Sequence, residues 1–153
     1  MKLDRHFIIH LPPPIIAVCL LGAAGFIHGT LPSLEILPAT PVGGFVWGAS
    51  GLSLATLAAL QFKALRTTVL PMGSPSKLVT LGAYLWTRNP MYLGVLTTLI
   101  GFALFMGTLP FFLVPWLFFL TVNRVHIPYE ETKLIRQFGE TYERYARRVN
   151  RWL

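Results

Sequence analysis

The chain has 153 residues, of which 54% are hydrophobic and only 12% are charged, and its formal net charge is +7. Soluble domains carry about 25% charged residues, so this composition argues against a soluble protein and indicates an integral membrane protein. The same apolar content, with 13% aromatic residues, excludes a disordered chain.

Three long stretches contain no Asp, Glu, Lys or Arg. They hold 29 residues after Arg5, 27 after Glu35 and 35 after Arg88. A helix that crosses a bilayer needs roughly 20 apolar residues, so each of the first two stretches predicts one span. The third is too long for one helix and slightly short for two, and the sequence GTLP at 107–110 predicts a turn at its middle. We therefore predict an all-α polytopic membrane protein with about four helices, the last two in a tight hairpin.

In chain order, the predicted hydrophobic helices cover Ile15–Leu31, Val42–Leu65, Tyr92–Gly107 and Phe111–Asn123. The only cysteine, Cys19, lies in the first helix, where we expect a small buried apolar residue. In the second helix small residues recur at a spacing of three and four, which predicts close packing against a neighbouring helix. They are Gly44, Gly48, Gly51 and Ala55.

The last segment, residues 130–153, differs from the rest because its apolar residues recur at helical spacing among arginines. This pattern predicts an amphipathic segment that lies on the membrane surface or packs under the bundle. Gly139 is expected to divide it into two short helices. The stripe consists of Leu134, Phe138, Tyr142, Tyr145, Val149 and Trp152. We predict a single domain over residues 1–153.

The basic residues are confined to three places: Lys2 and Arg5, the segment from Lys63 to Arg88, and the segment from Arg124 to Arg151. This asymmetry follows the positive-inside rule. It predicts that both termini and the segment from Lys63 to Arg88 are cytoplasmic. The membrane that we expect is a prokaryotic inner membrane. The positive charge then reflects topology and attraction to anionic lipid rather than nucleic-acid binding.

The first candidate cluster for chemistry is the segment 88–94, which reads RNPMYLG. Proline favours the first turn of a helix, so Asn89 is a candidate cap and the free N–H groups that follow can hold an anion. Arg88 adds a donor fork for a carboxylate or phosphate, and Tyr92 offers a ring and a hydroxyl. The same residues are also consistent with a capped helix that has an interfacial Arg and Tyr.

The second cluster is His126, Glu130 and Glu131, after the fourth predicted helix. A carboxylate here could bind hydroxyl or amino groups or offset a cationic ligand. The alternative is a solvated helix N-terminus, where acidic residues favour the dipole. His126 and Glu130 are four residues apart, but Pro128 lies between them and a third ligand is missing, so we predict no metal site.

Around the first cluster, Gly82, Tyr84, Trp86 and Thr87 form a weaker set that is also typical of an interfacial aromatic belt. The chain carries no G-x-G-x-x-G, P-loop or G-x-S-x-G motif and no cysteine pair.

Three segments together resemble one family. The sequence RNPMYLG at 88–94 is similar to the R-[HN]-P-x-Y-x-G motif of the isoprenylcysteine carboxyl methyltransferase and phospholipid methyltransferase superfamily. Residues 130–145 resemble its E-E-x-x-L-x-x-x-F-G-x-x-Y-x-x-Y signature, and residues 78–84 resemble its L-V-x-x-G-P-Y run, with Ala83 in place of proline.

The resemblance implies a membrane methyltransferase that uses S-adenosylmethionine at the cytoplasmic ends of its last helices. It implies the following cofactor-binding positions, to which we add His126: Asn89, Pro90, Tyr92, Gly94, Glu130 and Glu131. Arg88 and Glu130 are the catalytic candidates, and Arg88 could face the methyl acceptor. Arg88 on one side of the site and the two glutamates on the other would suit a zwitterionic cofactor.

The expected acceptor is a lipophilic carboxylate or amine that enters from the bilayer. Asn89 replaces the histidine of the carboxyl methyltransferases, and asparagine does not titrate near neutral pH, so the acceptor need not be an isoprenylcysteine. Two alternatives remain open: an NADPH-dependent membrane reductase of related architecture, and a non-catalytic membrane protein. The sequence does not indicate an oligomeric state.

Overall fold

The computed structural model of the protein describes residues 9, 11–31, 34–65 and 77–153. Lys2 and Arg5, and residues 66–76 of the predicted cytoplasmic segment from Lys63 to Arg88, therefore lie outside the described part. The helices of the described part are α1 (Pro13–Thr30), α2 (Pro41–Ala64), α3 (Pro90–Met106), α4 (Leu109–Thr121), α5 (Ile127–Phe138) and α6 (Glu140–Arg148). A short 3-10 turn, Gly82–Leu85, precedes α3.

Proline marks the start of most of these helices. Each of α1 to α5 has a proline at its first or second position, where the missing N–H costs nothing and the fixed φ favours a helix. The predicted polytopic all-α fold is confirmed: α1, α2 and the segment Leu109–Phe138 are long and apolar enough to cross a membrane, and α3 is a shorter apolar helix.

The fourth helix does not end at Asn123 as predicted. A five-residue π-helical turn, Val122–His126, follows α4 directly and leads without a break into α5. Polarity rises after residue 121, but Asn123 and Arg124 do not interrupt the helical backbone. As a result Glu130 and Glu131 lie on a continuous helix and not at a free N-terminus.

The predicted small-residue packing is confirmed between α2 and α3. A Cβ atom added at Gly44 would lie 2.7 Å from the carbonyl oxygen of Gly101, and one added at Gly51 would lie 2.5 Å from that of Gly94. These distances are far below an ordinary van der Waals contact, so the two backbones approach closely only because the side chains are absent. This contact fixes the start of α3 relative to α2.

One end of the bundle contains the hairpin turn. Gly107 has φ of +72°, and its carbonyl oxygen accepts hydrogen bonds from the backbone N–H groups of Ile36 and Leu37. Among the described residues, Glu35 is the charged residue of this end, and it pairs with Thr108 in an isolated β-bridge. The described Lys and Arg residues lie in the last turn of α2, in the segment before α3 or after α4, at the opposite end.

The C-terminal prediction is confirmed in its helical stripe and its division. Gly139 separates α5 from α6 with φ of +49°. All six residues of the apolar stripe are buried or half-buried. The expectation for Cys19 is wrong, because its side chain is exposed on the outer face of α1.

Candidate active site

A hydrogen bond between Tyr92 and Glu130 joins the first turn of α3 to the first turn of α5. The Tyr92 hydroxyl donates to Glu130 Oε1 at 2.6 Å, and the Tyr92 side chain is buried. The α2–α3 contact sets the position of Tyr92, and the continuous α4–α5 helix sets that of Glu130. The structure therefore brings together two predicted site residues that are 38 positions apart.

A second group of charges surrounds Glu131. Its carboxylate accepts from Arg88 Nη1 at 3.0 Å and from both Nε and Nη2 of Arg151, at 3.0 and 2.5 Å. Arg88 Nη1 also donates to the Tyr142 hydroxyl at 3.1 Å. The side chains of Arg88 and Glu131 are only 16% and 18% exposed, whereas that of Arg151 is 34% exposed. Water therefore screens the Arg88–Glu131 contact least, and the three residues carry a net charge of +1.

This arrangement corrects the predicted charge pattern. Arg88 was expected on one side of a ligand, with Glu130 and Glu131 on the other. Instead Arg88 and Glu131 are in direct contact. The site therefore has a positive part at Arg88, Glu131 and Arg151, beside the buried carboxyl group of Glu130.

Asn89 occupies the N-cap position of α3 but does not act as a cap, contrary to the prediction. Its side-chain amide instead donates to the carbonyl oxygen of Arg151 at 2.9 Å. The Thr87 hydroxyl donates to the same oxygen at 2.9 Å and accepts from the Asn89 backbone N–H at 3.2 Å. The first N–H groups of α3 therefore receive no side-chain cap from Asn89.

Tyrosines from the 3-10 turn and α6 lie beside these groups, and Tyr84 also packs against Ala58 and Phe62 of α2. The Tyr145 hydroxyl donates to the carbonyl oxygen of Tyr84 at 2.8 Å. Burial raises the pKa of Tyr84 and Tyr145, and the charge of Glu130 raises that of Tyr84 further. Burial also raises the pKa of Tyr142 despite the nearby Arg88. All three hydroxyls remain protonated at neutral pH.

Three buried polar atoms in or near the site have no protein partner: Arg88 Nε, the Tyr84 hydroxyl and His126 Nδ1. An unpaired buried polar group costs about 1–3 kcal/mol, and a bound polar molecule can supply the missing partner. Arg88 Nε is a charged donor suited to a carboxylate. Glu130 supplies an acceptor for an amino or hydroxyl group. The donors and acceptors therefore fit a small zwitterionic ligand.

The remaining predicted site residues lie around these groups. Pro90 is buried at the first position of α3. Gly94 faces α2, since a Cβ atom there would lie 2.5 Å from the Ala55 backbone nitrogen. His126 is buried in the π-helical turn, where Nε2 lies 3.1 Å from the carbonyl oxygen of Leu11. Among the described residues, no group of three His, Cys, Asp or Glu side chains could hold a metal ion.

Sequence reasoning missed Arg151 as a member of the site. Its ion pair with Glu131 spans 20 residues and its carbonyl contacts span more than 60, and no local spacing indicates such pairs. Tyr142 was noticed as part of the apolar stripe and of the resemblance. Its contact with Arg88 follows from its place on the buried face of α6.

An open apolar groove runs along α3 and α4 and has a volume of about 450 Å³, and its lining contains none of the polar site residues. It begins at Leu96, one helical turn after Tyr92. Its lining is Leu96, Ile100, Phe112, Pro115, Trp116, Phe119 and Leu120.

Comparison with known proteins gives one family match, which covers most of the described helices. Residues 40–141 match the family model described as phospholipid methyltransferase. This match covers α2 to the start of α6 and therefore contains Tyr92, Glu130 and the Arg88–Glu131 pair.

Three relatives give the range of similarity. An uncharacterized protein of Haemophilus influenzae is 40% identical over 63 residues, which are 41% of this chain and all of that protein. A probable protein-S-isoprenylcysteine O-methyltransferase of Oryza sativa subsp. indica is 40% identical over 78 residues, or 48% of this chain and 39% of the relative. The protein-S-isoprenylcysteine O-methyltransferase of Schizosaccharomyces pombe is 38% identical over 76 residues, or 47% of this chain and 30% of the relative.

The matched region thus spans well under half of these two named methyltransferases. No solved structure matches this chain.

Proposed function

Because the chain belongs to the phospholipid methyltransferase family, a family of membrane methyltransferases, we propose that it transfers the methyl group of S-adenosylmethionine to a carboxylate or amine of a lipophilic acceptor. The observation that carries the proposal is the meeting of the Tyr92–Glu130 pair with the Arg88–Glu131–Arg151 group at one end of the bundle. The names of the rice and fission yeast relatives agree with an acceptor carboxylate.

The two parts of the site fit the two charges of the cofactor's amino acid portion. Arg88 Nε is a buried donor without a protein partner, and it would bind the carboxylate. Glu130 would accept a hydrogen bond from the amino group or from ribose hydroxyls, while Tyr92 holds the carboxylate of Glu130 in a single orientation. When bound, the cofactor would supply an electrophilic methyl group on a sulfonium.

Methyl transfer depends on holding donor and acceptor in line more than on acid–base chemistry. The residues of this site are suited to that task. Arg88, Glu130 and Glu131 are each held by a partner from another element, as Arg88 is by Glu131 and Tyr142. Preorganised groups of this kind lose little entropy when a ligand binds.

The acceptor would reach the site from the bilayer. The groove between α3 and α4 is lined by apolar side chains and begins one turn from Tyr92, so it would hold an apolar chain while the polar head lies near the site. The distribution of basic residues supports a cytoplasmic position for this end, from which the charged cofactor would enter.

The test is a binding and transfer assay with purified protein in lipid nanodiscs. We expect saturable binding of S-adenosylmethionine by isothermal titration, and transfer of tritium from its labelled methyl group to a lipid extract. Glu130→Gln should weaken cofactor binding at least tenfold, because the amide is neutral and is a poorer acceptor. Glu140→Gln is the matched control, since Glu140 is exposed at the start of α6.

Failure of the wild-type protein to bind S-adenosylmethionine in both detergent and lipid would refute the proposal. Binding of NADPH in its place would favour the reductase, and binding of neither would favour a non-catalytic protein.

A further inference from the structure

Residues Asn150–Trp152, after α6, form a segment that we call the C-terminal tail and that docks on the segment preceding α3. The carbonyl oxygen of Asn150 accepts from the backbone N–H of Arg88 at 2.9 Å. The carbonyl oxygen of Arg151 accepts from both the Thr87 hydroxyl and the Asn89 amide. Three consecutive residues of one segment therefore bind the backbone of the tail.

Side chains of the tail strengthen this docking. Arg151 holds Glu131 through two parallel N–H donors, and such bidentate pairs fix geometry as well as contribute energy. The hydrogen bond to Glu131 raises the pKa of Arg151. Trp152 donates from Nε1 to Asn123 Oδ1 at 3.1 Å and packs against Phe119, with ring centroids 5.1 Å apart. The tail thus links α4, α5 and the start of α3.

We propose that the C-terminal tail is a clamp that positions Arg88 for its ligand, and that Arg151 is the positioning residue of this clamp. Arg88 is held from both of its ends: its backbone N–H by Asn150 and its Nη1 by Glu131, which Arg151 orients. Arg151 itself acts through Glu131 and need not contact the ligand.

The geometry explains why loss of the clamp should weaken ligand binding at Arg88 and not only lower the stability of the protein. With its backbone and one guanidinium nitrogen fixed, Arg88 keeps Nε buried and without a protein partner. Without Arg151, the carboxylate of Glu131 would have Arg88 as its remaining arginine partner and could draw the guanidinium into a bidentate pair that includes Nε. The donor proposed for the ligand would then be occupied by Glu131.

The inference rests on the proposed function, and two measurements keep the two apart. Hydrogen exchange read by mass spectrometry on peptides that contain Arg88 reports on the docking of the tail without any cofactor. Isothermal titration with S-adenosylmethionine reports on ligand binding. Both are made on the full chain in nanodiscs.

The variants are Arg151→Ala and Arg151→Lys, with Arg148→Ala as the control because Arg148 is an exposed arginine at the end of α6, next to the tail. We expect Arg151→Ala to accelerate exchange in the Arg88 peptide and to raise the Kd for S-adenosylmethionine about tenfold. Arg151→Lys should raise it about threefold, because lysine keeps the charge but lacks the fork. Arg148→Ala should match the wild type in both measurements.

Unchanged exchange in the Arg88 peptide, or unchanged affinity, in Arg151→Ala would overturn the clamp. If Arg151→Ala loses protection from hydrogen exchange in all helices, the variant is unfolded and Arg151→Lys is used instead. Wild-type affinity of Arg151→Lys for S-adenosylmethionine would then overturn the proposed clamp. A wild-type protein that binds no S-adenosylmethionine would refute the proposed function, while the exchange measurement would still decide whether the tail holds Arg88.

Discussion

The contact between α2 and α3 sets the position of Tyr92. A single methyl group added at this contact tests how closely the two helix backbones approach. In Gly101→Ala, the new Cβ atom would lie 2.6 Å from Gly48 Cα and 2.7 Å from the Gly44 carbonyl oxygen. Carbon atoms prefer separations of 3.5–4.0 Å, so the helices would have to separate by roughly 1 Å. Both neighbours are backbone atoms, and no side-chain rotation can relieve the clash.

The expected magnitude follows from two opposing effects. Overpacking of this kind costs about 3 kcal/mol at its upper end, and alanine recovers about 1 kcal/mol of helix propensity relative to glycine. We therefore expect Gly101→Ala to lower the free energy of unfolding by about 2 kcal/mol. Gly25→Ala in α1 is the control, because nothing lies within 4 Å of its added Cβ and only the gain in propensity remains.

The assay is unfolding by SDS titration in mixed micelles. Gly101→Ala should unfold at a lower SDS fraction than the wild type, and Gly25→Ala at the same or a higher fraction. Equal stability of Gly101→Ala and Gly25→Ala would show that the two helices do not approach as closely as described.

Three further predictions concern single contacts. Tyr145→Phe removes the hydroxyl that donates to the carbonyl oxygen of Tyr84 and should lower the free energy of unfolding by about 1 kcal/mol; an unchanged value in the SDS titration would contradict this contact. Gly107→Ala should lower the free energy of unfolding by about 2 kcal/mol in the same assay. The reasons are that φ of +72° disfavours a side chain and that the added Cβ would clash with the backbone of Leu37 and Ala39, in the loop before α2. A stabilised variant would contradict the described turn. Arg88→Lys should lower the rate of methyl transfer at least tenfold, since lysine has no Nε donor at the position proposed to bind the cofactor carboxylate; wild-type transfer would exclude a role for Arg88.

Much of the architecture was predictable from the sequence because its signals are local. Prolines mark the helix starts, and the charge-free stretches give the spans. The small residues Gly44 and Gly51 predicted a close helix contact, and the structure shows their partners on α3. Gly139 predicted the break between the last two helices.

The end of the fourth helix was not predictable in the same way. Polarity marks where a helix leaves an apolar environment, whereas backbone hydrogen bonds decide where it ends. The π-helical turn carries the backbone past Asn123 and Arg124, so a loss of hydrophobicity did not coincide with the end of the helix.

The site itself was predictable in part. The Tyr92–Glu130 and Arg88–Glu131 pairs unite residues that the resemblance had already singled out. The hydrogen bond from Asn89 to Arg151 was not foreseen, because the position before a helix-starting proline suggests a cap. Only the fold brings the C-terminal tail next to Asn89. The Asn89 side chain then binds the carbonyl oxygen of Arg151 instead of capping the first N–H groups of α3.

The central claim is that S-adenosylmethionine binds where α3, α5 and α6 converge. Photolabelling with the tritiated cofactor, followed by peptide mapping, tests it most directly. The account predicts label, displaced by excess unlabelled cofactor, in peptides that contain residues 84–94 or 126–145. Label confined to peptides of the hairpin end, such as residues 34–40 or 104–109, would contradict it.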